Sequence, residues 1–334
     1  MPAVRLIVTL LTSLFIITGC QASTEQAKEP ENTVILISID GFRYDYFQLG
    51  NTPTLERIAS QGVRVDSLHH VFPTKTFPAH YTTVTGLHPG HHGVVANSMW
   101  DPDRDERFSL GNREAVEDGF WYEGGEPIWV TAENQGVTAA TFFWPGSEAQ
   151  IRGVRPTYWK VYDGDVPHGD RIAQVLDWID LPDEERPRLI TLYFSTVDSA
   201  GHRYGPGEDP VKEALEEIDT QLGVLLDGLE AREVMNETYV LLASDHGMSR
   251  VDFDRYIMLD EYLDLSKVTV SDWGPATQIW ATGMPAEEIV AALSDVHPNM
   301  RVWAKEDLPP RYQFDTHRRV PDVVAEADLG WMIS

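Results

Sequence analysis

The chain has 334 residues, 26 Lys and Arg against 53 Asp and Glu for a formal net charge of −27, and one cysteine. A 42% hydrophobic content excludes wholesale disorder, and the length admits one large α/β domain or two smaller ones. So acidic a chain is a poor partner for a nucleic-acid polymer, whose binding is driven by counterion release onto Lys and Arg, and a single cysteine supplies neither an internal disulfide nor a thiolate zinc site.

Residues 1–20 read as an export signal. Arg5 is the only charge, and the apolar run Leu6–Ile17 is shorter than the roughly 20 residues a spanning helix needs. It ends in Ile17-Thr18-Gly19-Cys20, which resembles the lipobox of bacterial lipoproteins. That resemblance implies cleavage before Cys20, a lipid on the new N-terminus and a periplasmic-side lipoprotein held to the membrane by that lipid. Gln21 in the next position points to the outer membrane. The polar run from Gln21 to Asn32 is expected to be a tether. The expected organisation is a signal peptide at 1–19, a lipidated Cys and tether at 20–32, and one folded domain over 33–334.

From Thr33 onward, short apolar runs alternate with amphipathic stretches. Buried strands are predicted at Val34–Ile39, Val137–Phe143, Leu189–Phe194, Tyr239–Ala243 and Gln278–Ala281. Helical patterns lie between and after them at Thr54–Gln61, Ala79–Thr85, Pro127–Gln135, Asp170–Ile179, Val211–Leu229 and Ala286–Val296. Such alternation predicts an α/β fold with a mostly parallel sheet and helices on both faces. The turn-rich, charged stretch from Asn97 to Glu126 reads as an insertion over the mouth of the sheet. The segment after Val296 is expected to be irregular.

Three predicted strands run into aspartates: Val34–Ile39 into Asp40, Leu189–Phe194 into Asp198, and Tyr239–Ala243 into Asp245-His246. A lone Asp at a strand end is ordinarily a cap or turn residue. Three converging at the ligand-binding edge of an open sheet would repel one another unless a cation sits among them. His202 follows Asp198 by four residues, which places both on one side of a helical turn. Oxygen and imidazole donors without thiolate suit Zn²⁺, with Mn²⁺ and similar ions as competitors, and three carboxylates balance more than one divalent ion. In Pro73-Thr74-Lys75-Thr76-Phe77-Pro78, Thr76 falls near a helix N-terminus, where the dipole favours an alkoxide or a phosphate. Thr76 and Thr74 are equally candidates for a plain N-cap.

Taken together, ILISIDGFRYDY at 35–46, FPTKTFPAHYTTVTGLHPGHHGVVAN at 72–97, FWPGSEA at 143–149, LYFSTVDSAGHRYGP at 192–206 and LLASDHGM at 241–248 resemble the nucleotide pyrophosphatase/phosphodiesterase family of the alkaline phosphatase superfamily. The resemblance implies an alkaline-phosphatase-like fold with two zinc ions at the C-terminal strand edge of a phosphodiesterase domain. It assigns Asp40, Thr76, Asp245 and His246 to one zinc, with Thr76 also the nucleophile, and Asp198 and His202 to the other. Asn97 is implied to hold a phosphoryl oxygen. Phe77 and Tyr162 are implied to stack a nucleobase between them, with Tyr193 and Leu110 as further pocket positions. The implied reaction cleaves nucleotide phosphodiester and pyrophosphate bonds through a phospho-threonine intermediate, a nucleoside triphosphate giving a monophosphate and pyrophosphate.

Two expectations qualify this. A Lys that vertebrate nucleotide-cleaving members carry after their FSL motif is missing from FSLGNREAV here. The family's last zinc ligand, a His in a Gly-x-His-Gly segment, would follow Gly330-Trp331, whereas this sequence stops at Ser334. A chain lacking its C-terminal part, with an incomplete second zinc site, is therefore expected. The remaining candidates, His297 and His317, are read as surface or structural. Alternatives are a lysophospholipid or glycerophosphodiester phosphodiesterase on the same scaffold, and a non-catalytic lipoprotein that binds nucleotide or metal.

Overall fold

The computed structural model describes residues 32–334, so the export signal, Cys20 and the tether apart from Asn32 lie outside the described residues. Thr33–Ile39 (β1) leads the chain into the core. Ser98–Asp101 (β2) and Glu106–Ser109 (β3) make a hairpin, and Ala139–Phe142 (β4), Tyr158–Trp159 (β5), Leu189–Phe194 (β6) and Thr238–Ala243 (β7) follow. β5, β4, β6, β1 and β7 form one sheet in that order, every pairing parallel. The register places Ile39 beside Phe194 and Ser38 beside both Tyr193 and Ala243. β1, β6 and β7 therefore end level with one another, and the residues that follow them emerge at one edge.

The helices are Pro53–Gln61 (α1), Thr76–Thr85 (α2), Pro89–His92 (α3), Arg113–Glu117 (α4), Ile128–Asn134 (α5), His168–Ile179 (α6), Thr196–Tyr204 (α7), Asp209–Ala231 (α8) and Ala286–Leu293 (α9). Alternation along β1 divides the interior, because successive side chains leave opposite faces of a strand. Ile35, Ile37 and Ile39 pack against residues of α6 and α8 such as Ile172, Val175, Ile218 and Leu222. Leu36 packs on the other face with Tyr81 and Val84 of α2 and Trp129 and Val130 of α5. Helices thus cover both faces, as the continuous apolar strands require.

Two expectations need correction. Gln278–Ala281 does not join the parallel sheet. Ala276–Trp280 (β10) lies in a separate antiparallel sheet with Thr269–Asp272 (β9), Met300–Ala304 (β11) and Val323–Ala327 (β12), ordered β11-β12-β10-β9. Its unbroken burial arises because Ile279 faces a third core with α9, while Gln278 donates to the Val95 carbonyl at 2.8 Å and Trp280 meets Trp100 edge-on at 4.8 Å. The segment after Val296 is regular, supplying β11, β12 and Met332–Ile333 (β13), which pairs in parallel with Tyr256–Ile257 (β8). The Pro309-Pro310 pair between β11 and β12 hides that pattern in the sequence. Among the described residues no helix is long and apolar enough to cross a membrane.

Candidate active site

The level strand ends bring Asp40, Asp198 and Asp245 together. Gly41 turns the chain after β1 at φ 71°, and a Cβ built on it would stand 3.0 Å from Asp198 Cα, so only glycine lets the two loops approach this closely. The Gly41 amide donates to Asp245 Oδ1 at 3.1 Å. His246 Nε2 lies 3.4 Å from Asp40 Oδ1, 3.1 Å from Asp245 Oδ2 and 3.4 Å from Thr76 Oγ1. The four residues expected at one zinc therefore meet around a single ring nitrogen. Asp198 shares a cluster with Asp40 and His246, whereas His202, largely exposed, touches Asp198 at 3.4 Å from the rim.

The proton positions decide whether this arrangement suits a cation. His246 Nδ1 sits 3.0 Å from the Gly247 carbonyl, which can only accept, so Nδ1 carries the hydrogen of the neutral ring and Nε2 presents a lone pair. That lone pair faces carboxylate oxygens and a hydroxyl. Asp40 Oδ1, Asp198 Oδ1 and Asp245 Oδ2 are buried without a hydrogen-bond partner. Burial, then the charges of Asp245 and Asp198, push the Asp40 carboxyl well above its usual range, and the Tyr193 hydroxyl opposes them. Burial also works against Asp245, but the neighbouring His80 and the Gly41 amide hold it below the usual carboxylate range. Acceptors facing acceptors in a buried pocket are a poor arrangement for a protein alone and fit a divalent cation.

His80 is the site residue that sequence reasoning missed. It stands with Asp40 and Asp245 in a second cluster of metal-ligand geometry. Its Nδ1 is 2.8 Å from the Thr76 carbonyl and 3.3 Å from Asp245 Oδ2, and its Nε2 is 2.8 Å from Ser38 Oγ. A proton on Nδ1 goes to the Thr76 carbonyl, with Asp245 Oδ2 alongside, and Nε2 accepts from Ser38, so neither nitrogen is free for a metal. His80 instead ties α2 to Asp245. Its place one turn after Thr76 is the only signal in the sequence. Tyr193, expected in the pocket, is buried below it and donates from its hydroxyl to Asp40 Oδ2 at 2.6 Å.

Thr76 is the first residue of α2, with Lys75 at the N-cap position making no capping bond. Thr74 donates to the Val71 carbonyl at 2.9 Å, so neither threonine caps the helix by its side chain. Asn97 Oδ1 accepts from the Phe77 amide at 2.9 Å, which leaves its NH₂ as the donor end. The Phe77 ring rests on Phe108 of β3 at 5.5 Å, and Tyr162 rests on Phe143 at 5.1 Å. Tyr162 is 40% exposed and Leu110, at the end of the hairpin, is also 40% exposed, so both are free to meet a ligand. The stretch from Asn97 to Glu126 thus holds the β2–β3 hairpin and α4, small structure of its own.

Residues 34–334 match the family model described as type I phosphodiesterase / nucleotide pyrophosphatase. Human ectonucleotide pyrophosphatase/phosphodiesterase family member 5 is 37% identical over 320 residues, 96% of this chain and 66% of that protein. Human family member 1 is 39% identical over 312 residues, 90% and 33% respectively. The solved structure of murine member 5 agrees with a TM-score of 0.86 at 36% identity, covering 90% of this chain and 80% of that one. A murine structure of an inactive threonine-to-alanine variant in complex with AMP agrees equally, at 0.86 and 35%. The chain therefore spans just under two thirds of one curated relative and about a third of the other.

Proposed function

The chain belongs to the type I phosphodiesterase / nucleotide pyrophosphatase family, and on that premise we propose that it hydrolyses nucleotide phosphodiester and pyrophosphate bonds with Thr76 as nucleophile. The observation that carries this reading is the convergence of Thr76 Oγ1, Asp40, Asp245 and His246 Nε2 beside an unsatisfied Asp198. Asp40, Thr76, Asp245 and His246 would hold one zinc, and Asp198 and His202 would contribute to a second. When bound, such ions neutralise charge on the phosphoryl group and favour the threonine alkoxide.

The chain's own groups account for the rest. Thr76 attacks phosphorus from the N-terminus of α2, where the helix dipole favours negative charge. As the Oγ–P bond forms, the hydroxyl loses its proton and the opposite P–O bond breaks toward the leaving group, which takes up a proton. Water then cleaves the threonyl phosphate ester and restores the hydroxyl. The Asn97 NH₂ donates to a phosphoryl oxygen without adding charge, and the Phe77 amide holds it in that orientation. Phe77 and Tyr162 would receive a flat base between them, and AMP in the murine complex supports a nucleotide as ligand. We propose an exported protein anchored by lipid on Cys20; the relatives' names, ectonucleotide pyrophosphatase/phosphodiesterase, support export, and the lipid rests on the Ile17-Thr18-Gly19-Cys20 segment alone.

The test is turnover of p-nitrophenyl thymidine monophosphate with added Zn²⁺ by the parent protein and by Thr76→Ala. The expected result is hydrolysis by the parent, none by the variant, and a nucleotidyl mass adduct on Thr76 after acid quench. Hydrolysis that persists in Thr76→Ala would sink the nucleophile assignment. A parent that is inactive with Zn²⁺ bound would sink the activity.

A further inference from the structure

We propose that His168 is a positioning residue for the second metal, holding the first turn of α7 so that Asp198 and His202 are presented together. The inference rests on the reading of those two residues as ligands of a second ion, and adds what sets that ion's affinity. His168 opens α6 and is only 8% exposed. Its Nε2 lies 2.6 Å from Thr196 Oγ1, and its ring stands edge-on to Phe194, the last residue of β6, at 5.1 Å. Its Nδ1 faces Glu217 Oε1 of α8 at 3.3 Å. A carboxylate on that side places the ring hydrogen at Nδ1, so Nε2 accepts from the Thr196 hydroxyl. Burial lowers the ring against the pull of Glu217, which keeps it neutral.

Thr196 is the first residue of α7, the helix that carries both ligands. Ser195 before it makes no capping bond, and its Oγ accepts from the Tyr162 hydroxyl at 3.1 Å instead. Among the described residues, the Thr196 hydroxyl therefore makes the one side-chain hydrogen bond of that turn. The rest of α7 is located by close packing. A Cβ on Gly41 would stand 3.0 Å from Asp198 Cα, and one on Gly201 would stand 2.5 Å from Met248 Sδ. Packing fixes how near the helix lies to its neighbours, whereas a directional bond at its first turn fixes its rotation. Rotation swings Asp198 and His202 together, because side chains four apart share one face. His202 is largely exposed and Asp198 Oδ1 is buried without a partner, so the aim of both ligands depends on α7 itself. Losing an outer partner of a metal ligand typically costs about 10–100-fold in affinity, and a link one step removed belongs at the low end.

The experiment titrates the protein with Zn²⁺ in competition with a chelating dye, which separates a tighter ion from a weaker one. The variants are Thr196→Val, isosteric but without the hydroxyl, Thr196→Ser, which keeps it, His168→Phe, and Thr196→Val combined with His168→Phe. The expected result is that Thr196→Val and His168→Phe each weaken the second ion about tenfold and leave the first unchanged. The combination should be no weaker than either alone, because both remove the same bond, and Thr196→Ser should match the parent. If the parent binds two ions and neither single variant changes the second, the inference is overturned and the two-metal reading stands. A parent that binds one ion overturns both. Equal weakening of both ions, or losses that add in the combination, would show that the two residues act on the fold at large and would also overturn it. Thr196→Val carries the test if His168→Phe fails to fold.

Discussion

Tyr193 and His80 do related work from beneath the site: each brings a donor up to a buried carboxylate. The phenol donates to Asp40 at 2.6 Å, and the imidazole stands between the Thr76 carbonyl and Asp245. A donor to a metal-ligating carboxylate fixes its orientation and stabilises its ionised form, and loss of such a partner typically costs about 10–100-fold in metal affinity. Tyr193→Phe is therefore expected to weaken Zn²⁺ binding by about tenfold or more in competition with a chelating dye, with little loss of thermal stability because the ring and its packing remain. Unchanged affinity would show that Asp40 is oriented without the phenol. The convergence of the aspartates, His246 and Thr76 was legible in the sequence because each follows an apolar strand or opens a helix at a fixed offset, whereas Asn97 was reached only through the family resemblance. The roles of His80 and Tyr193 were not, because they depend on distances between residues 42 and 153 positions apart, to Ser38 and Asp40, which no local pattern encodes.

At the scale of elements, α2 owes its placement to the second sheet as well as the first. Lys75, at the N-cap of α2, forms an ion pair with Asp272 of β9 and donates to the Trp273 carbonyl at 2.8 Å. Burial raises the Asp272 carboxyl, and Lys75 opposes that rise. With side chains only 14% and 12% exposed, the pair is close to the buried limit, where removing one partner strands the other's charge. Lys75→Met is expected to destabilise the fold by about 3 kcal/mol in urea unfolding. Lys75→Met combined with Asp272→Asn should recover most of that loss, since no charge is left uncompensated. A double variant as unstable as the single one would mean that the lysine stem, not its charge, holds the helix. Nothing in the order of the strands announced this link. β1, β4, β6 and β7 were readable because they are continuous apolar runs, whereas β5 is only two residues long and β9, β11 and β12 were missed and β10 was given to the wrong sheet because these strands are short and earn their burial from tertiary partners.

Across the whole molecule, the β11–β12 connection is fastened to the insertion by groups that resist acid unequally. Arg318 and Arg319 converge on buried Asp101, whose carboxyl burial would raise but whose bonds to the two guanidiniums hold at about 2, so this junction stays ionised in mild acid. The histidines beside it behave differently. Burial pushes His92 down to about 3, and burial with the charges of Arg319 and Arg318 pushes His317 down to about 4. Both are neutral acceptors in the fold, His92 Nδ1 from the Val94 amide and His317 Nδ1 from the Arg319 amide, each at 3.1 Å. In the unfolded chain each would titrate near its ordinary value of about 6.5. The unfolded state therefore binds more protons than the folded one between pH 6.5 and 4, so the stability they confer is complete above pH 6.5 and is lost as the pH falls toward their folded values. Each histidine contributes a slope of up to about 1.4 kcal/mol per pH unit in that window. The carboxylates of this acidic chain titrate there too, but they do so equally in a variant that keeps them. His92→Asn with His317→Asn offers a non-titrating acceptor at both positions. In urea unfolding at pH 6.0, 5.3 and 4.6, the parent is expected to lose stability more steeply than the double variant, by about 2–3 kcal/mol per pH unit. Parallel pH dependences would show that these rings are protonated without cost and that the acid sensitivity of the junction lies elsewhere.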